Sequence, residues 1–265
     1  MTPRLIVSDL DGTLLGSDHT LHESTIEVLR ALVKQGHHVA LASGRHYHDM
    51  KVFRDQLDIP AHLISTNGAY VHDPEDTLLA ANHLEPEHAK TLINLPRPPQ
   101  VRLNLYRESG WHIDSEAPHL LSLHASTGFG YEVVPPAQMD TNGVGKVLYL
   151  GDPNALKQLE AQAQDAHGDG FHITYSTIDS LEIMAGGVNK GVALSSLLER
   201  LGLTPADCLA FGDNLNDTEM LDLAGEAQVM GNAHPALFDR VTGAERIGHH
   251  GEAAVAQWLK KRFGL

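Results

Sequence analysis

The chain has 265 residues, 42% hydrophobic and 20% charged, enough to bury a substantial core in one or two domains. Its 19 Lys and Arg against 34 Asp and Glu leave a formal charge of -15. That charge argues against nucleic acid or an anionic membrane as a partner, although a local metal or lysine can still draw a small anionic substrate into a cleft. The single cysteine, Cys208, excludes an intrachain disulfide and reads as a small buried strand residue in a reducing compartment. The first apolar stretch runs straight into acids, unlike a signal peptide, and no run approaches the ~20 apolar residues of a membrane helix. The cytoplasm is the expected location.

In chain order, Leu5–Ser8 reads as a strand. His22–Gln35 reads as a helix with Ile26, Leu29, Leu32 and Val33 on one face and Gly36 to stop it. Val39–Ala42 is a second apolar strand, His46–Leu57 an amphipathic helix through Tyr47, Met50, Phe53 and Leu57, and His62–Ser65 a third strand ended by the turn signal Asn67-Gly68. Apolar strands alternating with helices predict a parallel sheet covered on both faces.

From about Leu84 to Ala185 the pattern changes. Val101–Tyr106, Trp111–Ile113, Tyr131–Val133, Val147–Leu150 and Phe171–Ile173 read as strands, several of them alternating in polarity. Helices are expected over Glu85–Leu95, Ala117–Ser126 and Asn154–Ala166. Alternation predicts an antiparallel sheet with one covered face. The tail returns to the first grammar: helix Lys190–Leu201, strand Cys208–Phe211, helix Asp217–Ala224, strand Gln228–Met230 and closing helix Glu252–Arg262. The expected class is therefore α/β, a doubly wound parallel-sheet core of residues 1–83 and 187–265, with an α+β domain of residues 84–186 inserted into it.

The chemistry gathers at strand carboxyl ends, where open α/β sheets bind ligands. Asp9 and Asp11 follow the first strand, and two acids two residues apart on extended chain point the same way. Paired carboxylates repel, and a hard cation is the usual remedy. Gly212-Asp213-Asn214-Leu215-Asn216-Asp217 follows another apolar run in the same manner. A calcium loop does not fit the first cluster, because Leu14 and Leu15 fall where further acids are needed. Taken singly, Ser43 also fits a helix cap, Lys190 a solvated lysine, Arg45 a surface ion pair and Asn67 a turn residue. Taken together, carboxylates for Mg²⁺, a hydroxyl, helix N-termini and a lysine are equipment for holding a phosphoryl group.

In this order and context, Asp9-Leu10-Asp11-Gly12-Thr13, Ser43, Lys190 and Gly212-Asp213 with Asn216-Asp217 resemble the four motifs of the haloacid dehalogenase (HAD) superfamily. Thr66-Asn67-Gly68, Asn189-Lys190-Gly191, Val229–Ala233 and Ile247-Gly248-His249 extend the resemblance to Cof-type phosphatases over nearly the whole chain. The resemblance implies a Rossmann-like core with an α/β cap. It implies Asp9 as nucleophile, Asp11 as general acid and base, and Ser43 and Lys190 as holders of the transferred phosphoryl group. Asp213, Asp9 and the backbone carbonyl of Asp11 would bind Mg²⁺, supported by Asp217 directly or through water. Gly44, Arg45, Asn67 and Asn216 would line the substrate side. Implied substrates are small phosphates, among them hydroxymethylpyrimidine diphosphate, pyridoxal 5′-phosphate, hexose phosphates and flavin mononucleotide. A phosphomutase or phosphotransferase would use the same motifs, and a noncatalytic metabolite sensor is the rival from another class.

The 18 histidines are scattered without zinc-site spacing. His37, His38, His46, His48, His249 and His250 read as surface or loop residues, with a substrate contact open for His46 and His48. Tyr106, Trp111 and Phe129 read as packing residues.

Overall fold

The structure, a computed structural model, describes residues 3–265, so the first two residues of the expected core lie outside it. Strands are β1 Leu5–Ser8, β2 His38–Ala42, β3 Ala61–Ser65, β4 Tyr70–His72, β5 Leu78–Ala81, β6 Arg102–Arg107 and β7 Gly110–Ile113. They continue as β8 Tyr131–Val133, β9 Val144–Leu150, β10 Phe171–Thr177, β11 Ser180–Ala185, β12 Cys208–Gly212, β13 Glu226–Val229 and β14 Glu245–Arg246. Helices are α1 Glu23–Lys34, α2 Tyr47–Leu57, α3 Pro86–Ile93, α4 Pro118–Leu121, α5 Pro153–His167, α6 Lys190–Leu201, α7 Thr218–Leu223, α8 Pro235–Arg240 and α9 Ala254–Phe263.

An eight-stranded sheet runs β14-β13-β12-β1-β2-β3-β4-β5. It is parallel from β14 to β3, and the β4–β5 hairpin extends it antiparallel. Alternate residues of its central strands face opposite layers. Ile6, Val39, Leu41, Leu63, Leu209 and Phe211 pack under α1, α2 and α9. Leu5, Val7, Ala40, Ile64, Cys208 and Ala210 pack under α6, α7 and α8. This is the doubly wound sheet that the apolar runs predict, and Cys208 is fully buried within it.

A six-stranded sheet runs β10-β11-β9-β6-β7-β8. The alternation decides its two faces. Leu103, Leu105, Val147, Tyr149, Leu181 and Ile183 bury against α3 and α5. The intervening residues Asn104, Tyr106, Lys146, Leu148, Ser180 and Glu182 occupy the opposite face.

The expectations need correction in several places. The pair β7–β8 is parallel within this otherwise antiparallel sheet. The helix expected over Ala117–Ser126 stops at Leu121 and tightens into a single turn, Ser122–His124. There Ser122 Oγ donates to the His119 carbonyl at 2.6 Å, a local bond that competes with helix propagation. Strands β4, β5, β11 and β14 and helix α8 have no counterpart in the sequence reading. His37 and His46 are buried rather than exposed, and burial lowers the His46 imidazole to about 4. His46 caps α2 through His48 N–H, and its Nε2 lies 2.7 Å from the Arg107 carbonyl, tying the two sheets together. Among the described residues, no helix is long and apolar enough to cross a membrane.

Candidate active site

Strand β1 leaves the core as extended chain through Asp9, whose N–H donates to the Phe211 carbonyl at 3.0 Å and thereby locks β1 to β12. The chain then makes a wide turn over Leu10–Leu14, closed by Leu15 N–H on the Leu10 carbonyl at 2.9 Å. Gly12 carries a φ of 76° in that turn, and a Cβ there would collide with the Asp213 carboxylate. The glycine therefore lets the first acidic loop close onto the second. Thr13 Oγ1 completes the joint by donating to Asp213 Oδ1 at 2.9 Å, and Asn232 Nδ2 holds the Gly12 carbonyl at 2.8 Å.

Lys190, at the start of α6, is fully buried, and its Nζ lies 2.6 Å from both Asp9 Oδ1 and Asp217 Oδ1. The other Asp217 oxygen accepts from the backbone N–H groups of Asp213 at 2.9 Å and Asn214 at 3.0 Å. Asp217 is thus the anchor of both the lysine and the loop. Burial disfavours a charged Lys190, but Asp217 and Asp9 outweigh it and hold the ammonium well above its usual range.

Asp9, Asp213 and Asp217 offer carboxylate oxygens that lie within 4.8 Å of one another. Three carboxylates share one lysine. Burial pushes the Asp9 carboxyl well above the usual range, Lys190 opposes this, and Asp217, Asp213 and Asp11 add to it. Burial and then Asp217 likewise raise Asp213 to about 7, against the hydrogen bond from Thr13. Among the described residues, Asp9 Oδ2 and Asp213 Oδ2 accept no hydrogen bond. A surplus of buried negative charge with free oxygens fits a hard divalent cation, whose preferred ligands are all oxygen.

Asp11 lines the same cavity. Arg45 Nε and Nη2 donate to its two oxygens at 2.6 and 2.7 Å. Burial alone would raise the Asp11 carboxyl, but hydrogen bonds from Arg45 and His19 hold it well below the usual range. The third arm of Arg45 reaches buried Asp49 at 2.8 Å. Asp49 in turn accepts from Thr127 and lies 2.8 Å from His124 Nδ1. Ser43 Oγ accepts from Arg45 N–H at 3.2 Å, turning the loop after β2 toward Asp9.

The six-stranded sheet lies over these loops. Lys146 Nζ donates to the Gly44 carbonyl at 2.8 Å and to Glu182 Oε1 at 2.7 Å. Asn67 donates to the second Glu182 oxygen and accepts from Asn216 Nδ2 at 3.1 Å. Asn214 Nδ2 donates to the Ser176 carbonyl. A cavity of about 320 Å³ remains between sheet and loops, with Asp9, Asp11, Ser43, Arg45, Asp213 and Asn216 on its floor. Tyr106, Trp111 and Leu148 line its roof.

The structure places Asp9, Asp11, Ser43, Gly44, Arg45, Asp213 and Asn216 on one cavity, while Lys190 and Asp217 lie fully buried behind Asp9 and do not line it. Asn67 is packed behind it, beneath Asn216 and Gly44, where a Cβ on Gly44 would crowd the Asn67 amide oxygen at 3.1 Å. Sequence reasoning missed Asp49, Lys146 and Glu182, and quoted Thr13 and Asn232 within motifs without giving them a site role. For Lys146 a signal exists: it is the charged residue in Val144–Leu150, a strand otherwise free of charge. Tyr106 and Trp111 do pack, at 5.7 Å between ring centroids, yet they also wall the cavity. Phe129 instead stacks on His46 at 4.8 Å.

Comparison with known proteins agrees with this geometry. The family model for haloacid dehalogenase-like hydrolases matches residues 6–259. An HMP-PP phosphatase of Cronobacter sakazakii is 39% identical over 256 residues, 97% of this chain and 94% of that one. An HMP-PP phosphatase of an Enterobacter species is 36% identical over the same shares. A solved structure from Thermotoga maritima superposes with a TM-score of 0.82 at 26% identity, covering 98% of this chain and 97% of that one. A haloacid dehalogenase-like hydrolase from B. subtilis has a TM-score of 0.87 at 23% identity, over 97% and 99%, and speaks to the fold alone.

Proposed function

The chain belongs to the haloacid dehalogenase-like hydrolases, and from that premise we propose that it is a Mg²⁺-dependent phosphatase of small phosphorylated metabolites, working through an aspartyl-phosphate on Asp9. The observation that carries this reading is the buried cluster of Asp9, Asp213 and Asp217 around Lys190, with Asp9 open to the cavity. Residues 1–83 and 187–265 form the catalytic core and residues 84–186 the cap.

Mg²⁺ would be held by Asp9, Asp213 and the Asp11 carbonyl, with Asp217 behind them, and would supply positive charge against the phosphoryl oxygens. Lys190 and Ser43 orient those oxygens. Asp9 attacks phosphorus, and the bond from phosphorus to the leaving oxygen breaks as Asp11 gives that oxygen a proton. Asp11 then takes a proton from water, whose oxygen attacks phosphorus and frees Asp9. An acid held charged by Arg45 has no proton to give, so Arg45 must first exchange Asp11 for the substrate, keeping its hold on Asp49. Gly44, Asn67 and Asn216 shape the substrate side.

Candidate substrates are hydroxymethylpyrimidine diphosphate, pyridoxal phosphate and sugar phosphates. The relatives named HMP-PP phosphatase support the first. The sheet over Asp9 favours small compounds over proteins. The test is phosphate release from a panel of small monoesters and diphosphates, with Mg²⁺ and with EDTA. Metal-dependent release supports the reading, and no release from any compound by a folded protein contradicts it.

A further inference from the structure

Resting on the phosphatase reading above, we propose that Asp49 is a positioning residue: it passes the seating of the cap segment His124–Phe129 on to Arg45, so that the arginine turns its two-pronged edge toward the phosphoryl site only when that segment is in place. Three observations support it.

The first is how Asp49 uses its oxygens. It lies in the first turn of α2, where an acid ordinarily stays in water near the helix N-terminus. Here it is fully buried. Its Oδ2 accepts from Arg45 Nη1 at 2.8 Å and lies 2.8 Å from His124 Nδ1, and its Oδ1 accepts from Thr127 Oγ1. Arg45 belongs to the core, His124 and Thr127 to the cap. Burial would raise the Asp49 carboxyl, but His124, Arg45 and Thr127 outweigh it and hold it below its usual range. A charged acid buried without such partners is heavily penalised, so the burial of Asp49 depends on the bridge between core and cap.

The second is what the bridge does to Arg45. A guanidinium carries five N–H groups in one plane. Asp49 holds Nη1, which leaves Nε and Nη2 as a paired edge on the Asp11 carboxylate at 2.6 and 2.7 Å. Asp11 and Arg45 both line the cavity. An edge that grips two carboxylate oxygens also suits two phosphoryl oxygens. The Phe53 ring, 5.3 Å from Arg45 Cζ, is apolar and cannot choose between the edges; Asp49 can.

The third is that the cap segment is built to deliver both donors together. The His124 carbonyl accepts from Thr127 Oγ1 at 3.1 Å and from Gly128 N–H at 2.8 Å, closing one turn. Phe129 then stacks at 4.8 Å on His46, the residue that caps the same end of α2. Lifting this segment removes His124 and Thr127 at once and opens Asp49 to water. An ion pair in water is weaker than the same pair buried, so Arg45 loses its aim when the segment lifts.

The experiment measures kcat and KM of the full chain with Mg²⁺ on p-nitrophenyl phosphate and acetyl phosphate. Asp49→Asn is expected to lower kcat/KM by about tenfold or more, the scale of one charge-assisted hydrogen bond, and mainly through KM. Thr127→Val, isosteric and at a half-buried position, is expected to lower it about threefold or more in the same way. It carries the test alone if Asp49→Asn does not fold. Arg45→Lys keeps the charge but loses the paired edge. In that background neither substitution is expected to cost more than about twofold again, because the residue they act through is gone. A mere structural staple would lower kcat/KM by the same factor in both backgrounds. Equal falls in both backgrounds, or wild-type kcat/KM in either folded variant, overturn the proposal, while turnover by the wild type leaves the phosphatase reading intact. A folded wild type inactive on both compounds overturns that reading itself, and the proposal with it.

Discussion

Lys190 and Asp9 lie 181 positions apart in the chain, and the lysine ammonium sits 2.6 Å from the carboxylate with no exposure to solvent. The same ammonium touches Asp217, so a single positive charge holds together two acids that would otherwise repel. Lys190→Ala removes that charge and leaves buried carboxylates uncompensated. Turnover is expected to fall on the order of 10²-fold or more, as for other lost electrostatic contacts. Without metal, stability is expected to fall by about 3–5 kcal/mol, the scale for an orphaned buried charge. Steady-state kinetics and urea unfolding check both; a variant with wild-type kcat contradicts the assignment.

Asp11 serves both half-reactions in this account. Asp11→Asn is expected to slow formation and breakdown of the phosphoryl-enzyme together, while the fold survives because Arg45 keeps Asp49. Rapid-quench kinetics resolves the two steps. Wild-type rates in both refute the acid and base role.

Metal binding and pH are linked through Asp213. Its carboxyl titrates near about 7 because of burial and Asp217, above the ordinary aspartate value of about 3.9. A carboxyl whose folded value is raised stabilises the fold when protonated; that contribution is complete below the unfolded value and lost as pH rises through the folded one. Asp9 shifts in the same direction. The metal-free protein is therefore expected to lose stability between about pH 4 and about pH 7, and Mg²⁺ to restore it, with a rise in Tm that grows over the same window. An equal Mg²⁺ effect at both ends contradicts the acidic cluster as the binding site.

Lys146 and Glu182 form a buried pair at 2.7 Å that also grips Gly44 and Asn67 beneath it. Glu182→Gln leaves the ammonium without its counterion and is expected to cost about 3–5 kcal/mol, whereas the double variant Lys146→Met with Glu182→Gln recovers much of the loss. A double-mutant cycle by chemical unfolding measures this; additive losses contradict a coupled pair.

The sequence is most legible where one residue type has one use. The apolar runs of β1, β2, β3 and β12 read as covered strands, and the acids that follow β1 and β12 read as a cation site, so the sheet and its acidic floor are readable from local pattern. The roof is not. Lys146 stands out only as the charged residue of an otherwise uncharged strand, which does not say what it pairs with, and only the fold turns that face of the six-stranded sheet onto the loop after β2. Strand β11 escaped notice although it carries Glu182, because Leu181–Ala185 is short and runs into Gly186-Gly187. Asp49 is likewise unreadable: on helix α2 it resembles a solvated acid, and it is buried because Arg45, His124 and Thr127 converge on it.

The most direct test of the account traps the phosphoryl-enzyme. Borohydride reduces an acyl phosphate to the alcohol, so an aspartyl-phosphate is recorded as homoserine at that position by peptide mass spectrometry. Quenched during turnover of a substrate with Mg²⁺, the protein is expected to carry homoserine at position 9, dependent on substrate and absent with EDTA. Phosphate release without any modification at Asp9, or with the modification at another carboxylate, contradicts the central claim.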